Sequence, residues 1–142
     1  MATTQYTPTA ATAPVRQAGQ DRFARLAFLL DAAVTGANGI GYLALAGVLD
    51  SLLGFSKAVQ YPVGAFLVVY AVGVLLVATR KTVNRTAGLA VVALNALWAV
   101  ASVVVAAEDA LGATTAGTVW TLLQAAVVGG FAALQYAALR RL

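Results

Sequence analysis

Cysteine and histidine are both missing from the 142 residues of this chain, and methionine occurs once. Without thiols there is no disulfide framework, and without thiols and imidazoles the usual protein sites for zinc, copper, haem and iron–sulfur clusters are gone. Nucleophile arrangements of the Ser-His-Asp and Cys-His kinds are excluded on the same ground. Charge is nearly as scarce: 10% of the residues are charged, against about 25% in a soluble globular domain. What fills the chain is hydrocarbon, since 61% of it is hydrophobic, and most of such a chain cannot face water.

Residues 1–21 depart from this, being rich in Thr, Ala, Pro and Gln with little to bury, and they read as a flexible cytoplasmic tail. Residues 22–142 hold four apolar runs, at 26–49, 62–79, 86–107 and 118–139. A helix rises 1.5 Å per residue and must cross roughly 30 Å of hydrocarbon, so each run is long enough to span a bilayer. A soluble bundle of four such helices would have no polar outer face. The expected fold is all-α, a transmembrane four-helix bundle with short loops. Ala44-Leu45-Ala46 resembles a signal-peptide cleavage site, but the first run is too long and carries Asp31 and Asn38, which favours an uncleaved span.

Basic residues sit at the ends of the runs. Arg16, Arg22 and Arg25 precede the first, Arg80, Lys81 and Arg85 separate the second from the third, and Arg140 and Arg141 follow the fourth, leaving Lys57 alone on the other side. This is a membrane pattern rather than a nucleic-acid face, and it places both termini in the cytoplasm. The expected location is a bacterial cytoplasmic membrane, with the bilayer and a second copy or another membrane protein as partners and no nucleic acid. Tyr61, Trp120 and Tyr136 lie near span ends, where aromatic rings anchor at the interface.

Polar residues inside the spans share helical faces: Asp31, Thr35, Asn38 and Tyr42 in the first, Gly88, Asn95, Trp98 and Ser102 in the third, and Trp120, Gln124, Phe131 and Gln135 in the fourth. The second offers Phe66, Tyr70 and Gly73. Such seams turn toward the protein interior, because amides and carboxylates are costly against lipid tails. Counting from the cytoplasmic ends predicts an inner layer of Asp31 and Gln135, a central layer of Asn38, Tyr70 and Asn95, and an outer position for Gln124. Asp31 reads either as a proton or cation site or as a structural carboxylate, paired with Arg80, Arg140 or Arg141 or bonded to Gln135. Gly36, Gly39, Gly73, Gly129 and Gly130 are candidates for close helix packing. The glycine-rich segment 35–41 is also where a broken helix of the kind found at transporter sites would lie. A shift of 57 residues sets Asn38 on Asn95 and Gly73 on Gly130, the trace of two similar hairpins. No phosphate-binding GxxxxGK[ST] loop, carboxylate metal cage or intramembrane lysine is present, so no cofactor is expected.

Through LLDAAVTGANG, LLGFS, VALNALWAVAS and LQAAVVGGFAALQ, the region 22–142 resembles uncharacterised small four-span integral membrane proteins of high-GC bacteria. That resemblance implies an inner-membrane four-helix protein and brings no activity. A second one rests on four short spans and Asp31 in the first, where small multidrug-resistance transporters carry Glu. It implies exchange of protons for a cationic solute at one carboxylate. The leading expectation is a non-enzymatic oligomeric or accessory membrane component. The alternative is a small proton- or cation-coupled transporter or channel using Asp31, with Asn38, Asn95 and Gln124 along its path.

Overall fold

In hydrocarbon every backbone N–H and C=O has to be paired within its own segment, so an apolar run rich in Ala, Leu and Val becomes a helix. The computed structural model describes the backbone of residues 13–142 and side chains from Gly19 onward. Its helices are α1 (Ala13–Ala44), α2 (Ala46–Leu53), α3 (Lys57–Thr79), α4 (Arg85–Ala107) and α5 (Thr115–Leu139), with no strand among the described residues. Four of them are long and apolar enough to cross a membrane, the qualifying part of α1 being Gly19–Ala44. The all-α bundle with four spans is therefore present, with α2 as an addition.

The boundaries differ most from expectation in three places, α4 and α5 starting only one and three residues early. The run 26–49 is not one helix: Leu45, at φ −116° and ψ 20°, interrupts it, and the remainder forms α2. Apolar composition gives no warning of such a break, which falls beyond the continuous helix through Gly36, Gly39 and Gly41. α3 starts at Lys57, ahead of Pro62, which sits inside the helix and deletes one backbone bond. Finally, the tail expected over residues 1–21 lies outside the described residues only to residue 12, since α1 begins at Ala13.

The first turns of the membrane-crossing part of α1 are held by Asp21 and Arg25, an i,i+4 ion pair of 3.0 Å. The Arg25 guanidinium also donates to the carbonyls of Ala78, Arg80 (2.8 Å) and Lys81 (3.2 Å). These oxygens lie at the C-terminal end of α3 and just past it, where carbonyls lack intrahelical partners and a cation is favoured. Arg25→Gln is expected to lower stability by about 1–2 kcal/mol, read as a shifted midpoint in detergent unfolding. An unchanged midpoint would show that water satisfies these carbonyls as well.

α1 lies along α3 and α4 along α5; α1 and α5 join the two pairs, while α3 and α4 scarcely meet. The α1–α3 crossing is at Gly39 and Gly64, where a Cβ on either would come within 2.9 Å of the other's carbonyl oxygen. Gly36 faces Ala71 in ordinary contact, Gly129 lies opposite Ala99, and a Cβ on Gly73 or Gly130 would have nothing within 4 Å among the described residues. One apolar core, around Phe28, Val74 and Leu139, fills the end where α1 starts and α5 finishes. A second, around Tyr42, Leu53, Phe55 and Leu67, fills the end near α2. There Thr114 caps α5 by accepting from Gly117 N (3.1 Å) and fastens it to α2, its N–H donating to Leu53 O and its hydroxyl to Leu52 O. Gly54 closes α2 at φ 77°, a conformation that suits glycine, with the Thr114 nitrogen 2.8 Å from where a Cβ would stand.

Candidate functional site

Between the two apolar cores all four spans contribute to one polar cluster. Asp31 of α1 is fully buried. Its Oδ1 accepts from the Thr35 hydroxyl one turn later (2.8 Å), and its Oδ2 accepts from Asn95 Nδ2 of α4 and Gln135 Nε2 of α5, each at 2.7 Å. Asn95 Nδ2 also donates to Gln135 Oε1 (3.1 Å), and Asn95 Oδ1 accepts from the Tyr70 hydroxyl of α3 (3.0 Å). Asn95 is the hub, since it alone touches members from all three other spans.

The predicted layers are thus rearranged. Asp31, Gln135, Asn95 and Tyr70 form a single group rather than an inner and a central pair, because the side chains reach along the helix axes to close the bonds. Asn38 is not in that group; it is half-buried and borders a cleft. The arginine pairing considered for Asp31 does not occur, since the described residues contain one ion pair, Arg25 with Asp21. Arg140 lies over the Tyr136 ring and Arg141 over Phe23, at 5.8 and 5.4 Å from the ring centroids.

A second, smaller polar group lies nearer α2. Tyr42 presents its hydroxyl oxygen to Trp120 Nε1 (2.9 Å) and Gln124 Nε2 (3.0 Å), joining α1 to α5. Close to it Gln60, absent from the sequence-based candidates, is buried at the start of α3. Its Nε2 donates to Ala46 O (3.0 Å) and Phe55 O (2.6 Å), and its Oε1 has no partner. Little in the sequence signals it: Gln60 precedes the expected span 62–79, in what reads as a partly apolar connection until α3 is known to include it.

The sparse contact between α3 and α4 leaves a lateral cleft in two parts, each of about 240 Å³. The deeper part is floored by Thr35, Tyr70 and Asn95 and rimmed by the exposed Phe66, Leu94 and Leu97. The other reaches Gln60 and Tyr42. Trp98, Ala101 and Gln124 line both. The Phe66 ring stacks on Tyr70 and on Trp98, at 5.9 and 5.6 Å, the latter contact bridging α3 to α4. Asp31 lines neither part, being closed off behind its own partners.

No group of metal-binding side chains occurs among the described residues. Comparison with family models, curated proteins and solved structures finds no match to this chain. Its chemistry therefore has to be read from the geometry: one buried carboxylate held by neutral donors, and an apolar cleft with amides at its base.

Proposed function

We propose that this four-span protein is a non-enzymatic oligomeric or accessory component of a bacterial cytoplasmic membrane, both termini cytoplasmic, whose polar cluster holds the bundle in register. The observation that carries the reading is the enclosure of Asp31: both carboxylate oxygens are occupied by donors from three helices, and neither part of the cleft opens onto it. A partner is supported by α4, of whose most apolar stretch only 11% is buried within the chain. An apolar helix so little covered has surface to give to a second copy or another subunit as well as to lipid.

One observation favours the transporter reading. Thr35, Tyr70 and Asn95 line the cleft while Thr35 and Asn95 bond Asp31 directly, which places the carboxylate one hydrogen bond from open space. Asp31→Asn separates the two. An amide fits the site, its oxygen accepting from Asn95 and Gln135 while its NH2 donates to the Thr35 hydroxyl, which both donates and accepts. On the structural reading, this variant keeps its assembly in mild detergent and leaves proton and cation flux in proteoliposomes unchanged. Flux lost with assembly intact would establish transport through Asp31. A wild-type protein that purifies as a monomer with nothing bound to it would sink the subunit reading.

A further inference from the structure

Positive charge gathers at the end where α1 starts and α5 finishes, and the chain has little there to answer it. Of its five acids none precedes Asp21. Asp21 is paired with Arg25, Asp31 is enclosed in the polar cluster, and Asp50, Glu108 and Asp109 lie toward the opposite end. The described residues contain no other ion pair, so neither Arg80 nor Lys81 is matched by a carboxylate. Both side chains line an open hollow of about 720 Å³ between the end of α3 and the start of α4.

The other polar side chains of that hollow are Thr82 and Asn84, so every polar group on it can donate a hydrogen bond and none is an acid. Asn84 spends its Oδ1 on Ala87 N (3.0 Å), which leaves its amide nitrogen free to donate. The backbone has the same sign: the first intrahelical bond of α4 runs from Gly88 N to Asn84 O (2.9 Å), so the N–H groups of Arg85 and Thr86 stand ahead of it at the positive end of the helix. Carbonyls at the end of α3, which would repel an anion, are already covered by Arg25. The rest of the lining is apolar, from Leu76 and Val77 on α3 and Ala87 on α4. Leu76 is exposed and lies four residues before Arg80, about 6 Å deeper in the span. The hollow thus passes from a cationic turn into the gap between α3 and α4, helices that scarcely meet. Phosphate at the rim with hydrocarbon below it is the order in which a phospholipid presents itself, and basic pockets between spans are suited to such headgroups. Inorganic phosphate would use the rim alone.

We propose that this hollow binds an anionic phospholipid, its headgroup phosphate held by Arg80, Lys81 and the Asn84 amide and one acyl chain lying against Leu76 and Val77. The site rests on the placement of α3 and α4 across the bilayer and on nothing assigned to Asp31, so its failure would leave the Asp31→Asn result as it stands. The protein is held in a mild non-ionic detergent with equal mole fractions of phosphatidylglycerol and phosphatidylcholine, and the lipid it retains is identified by native mass spectrometry. Phosphatidylcholine carries the same phosphate with its charge cancelled by an amine. Phosphatidylglycerol is expected to be retained about tenfold in preference, somewhat below the product of about fivefold for each of two cations near a bilayer surface, since salt screens both. Arg80→Gln with Lys81→Gln is expected to cut the preference to about twofold. Arg140→Gln with Arg141→Gln removes as much charge from the same end, outside the hollow, and is expected to keep it above about fivefold. Thr82→Glu leaves every cation of the turn in place and sets a carboxylate inside the hollow, at an exposed position; it is expected to match the Arg80 and Lys81 pair. The proposal is overturned by equal losses in the two double variants, which would mean attraction to net charge alone, or by a preference that survives Thr82→Glu. No preference in the starting protein, as when a second copy covers the hollow, overturns it too, and displacement of the lipid by millimolar inorganic phosphate would assign the site to the free anion instead.

Discussion

Asn95→Leu is expected to destabilise the bundle by about 2–4 kcal/mol, because it removes three hydrogen bonds at once, each worth roughly 0.6–1.7 kcal/mol within a membrane. It also withdraws one of the three donors that compensate the buried Asp31 carboxylate and leaves the Tyr70 hydroxyl with Val91 O, at 3.2 Å, as its acceptor. Asn38→Leu is the matched control. It is the same chemical change on a neighbouring seam, at a side chain with no hydrogen bond among the described residues, and its expected effect is within about 0.5 kcal/mol. Unfolding in mixed detergent, followed by helical circular dichroism, measures both. Equal losses at the two positions would mean that the cluster adds nothing beyond the general cost of changing a polar residue in a span.

Gly64→Leu is expected to cost more, at least about 3 kcal/mol, and to show as failure to accumulate in the membrane. The reason is steric: any Cβ at Gly64 stands 2.9 Å from the Gly39 carbonyl and 3.0 Å from Leu43, and backbone cannot step aside as a flexible side chain can. The axes of α1 and α3 would have to separate where they are closest, opening the most extensive helix contact in the molecule. Gly73→Ala has open space before it and is expected to leave monomer stability unchanged or slightly raised. If Gly73→Ala instead weakens self-association while the folded monomer persists, the open glycine face is a contact between copies. A Gly64→Leu protein of normal stability would contradict the α1–α3 crossing itself.

How far these features could be read from the residues depended on the kind of physics behind each. Length and hydropathy are sums over twenty or so side chains, so the four spans were legible, as was the inward turn of Asp31, Asn95 and Gln135 on their helical seams. Which seam residues meet was only partly so. Period and depth place Asp31 beside Gln135, yet they set Asn95 in a separate layer, because a rise per residue locates Cα atoms and takes no account of a side chain's reach. The Leu45 break was invisible since neither Gly nor Pro marks it; it is maintained by contacts that α2 makes with α5 through Thr114, far away in sequence. Gln60 and Gly64 were missed for a related reason. Gln60 sat in an assumed loop, and a single glycine between Val63 and Ala65 reveals its importance only when Gly39 is known to lie opposite. Arg25 looked like one more flanking charge, and its use as a cap for a different helix depends on how the bundle folds.

The order in which the chain is made gives the Asp31 cluster another meaning. Its donors on α4 and α5 lie 64 and 104 residues downstream of it, so α1 enters the bilayer with Thr35 as the one partner it brings along. The carboxylate has to wait, near the interface or in the shelter of the insertion machinery, until the second hairpin arrives. The cluster cannot close before α5 is in place, and a chain cut short before it would keep an acid compensated by fewer donors.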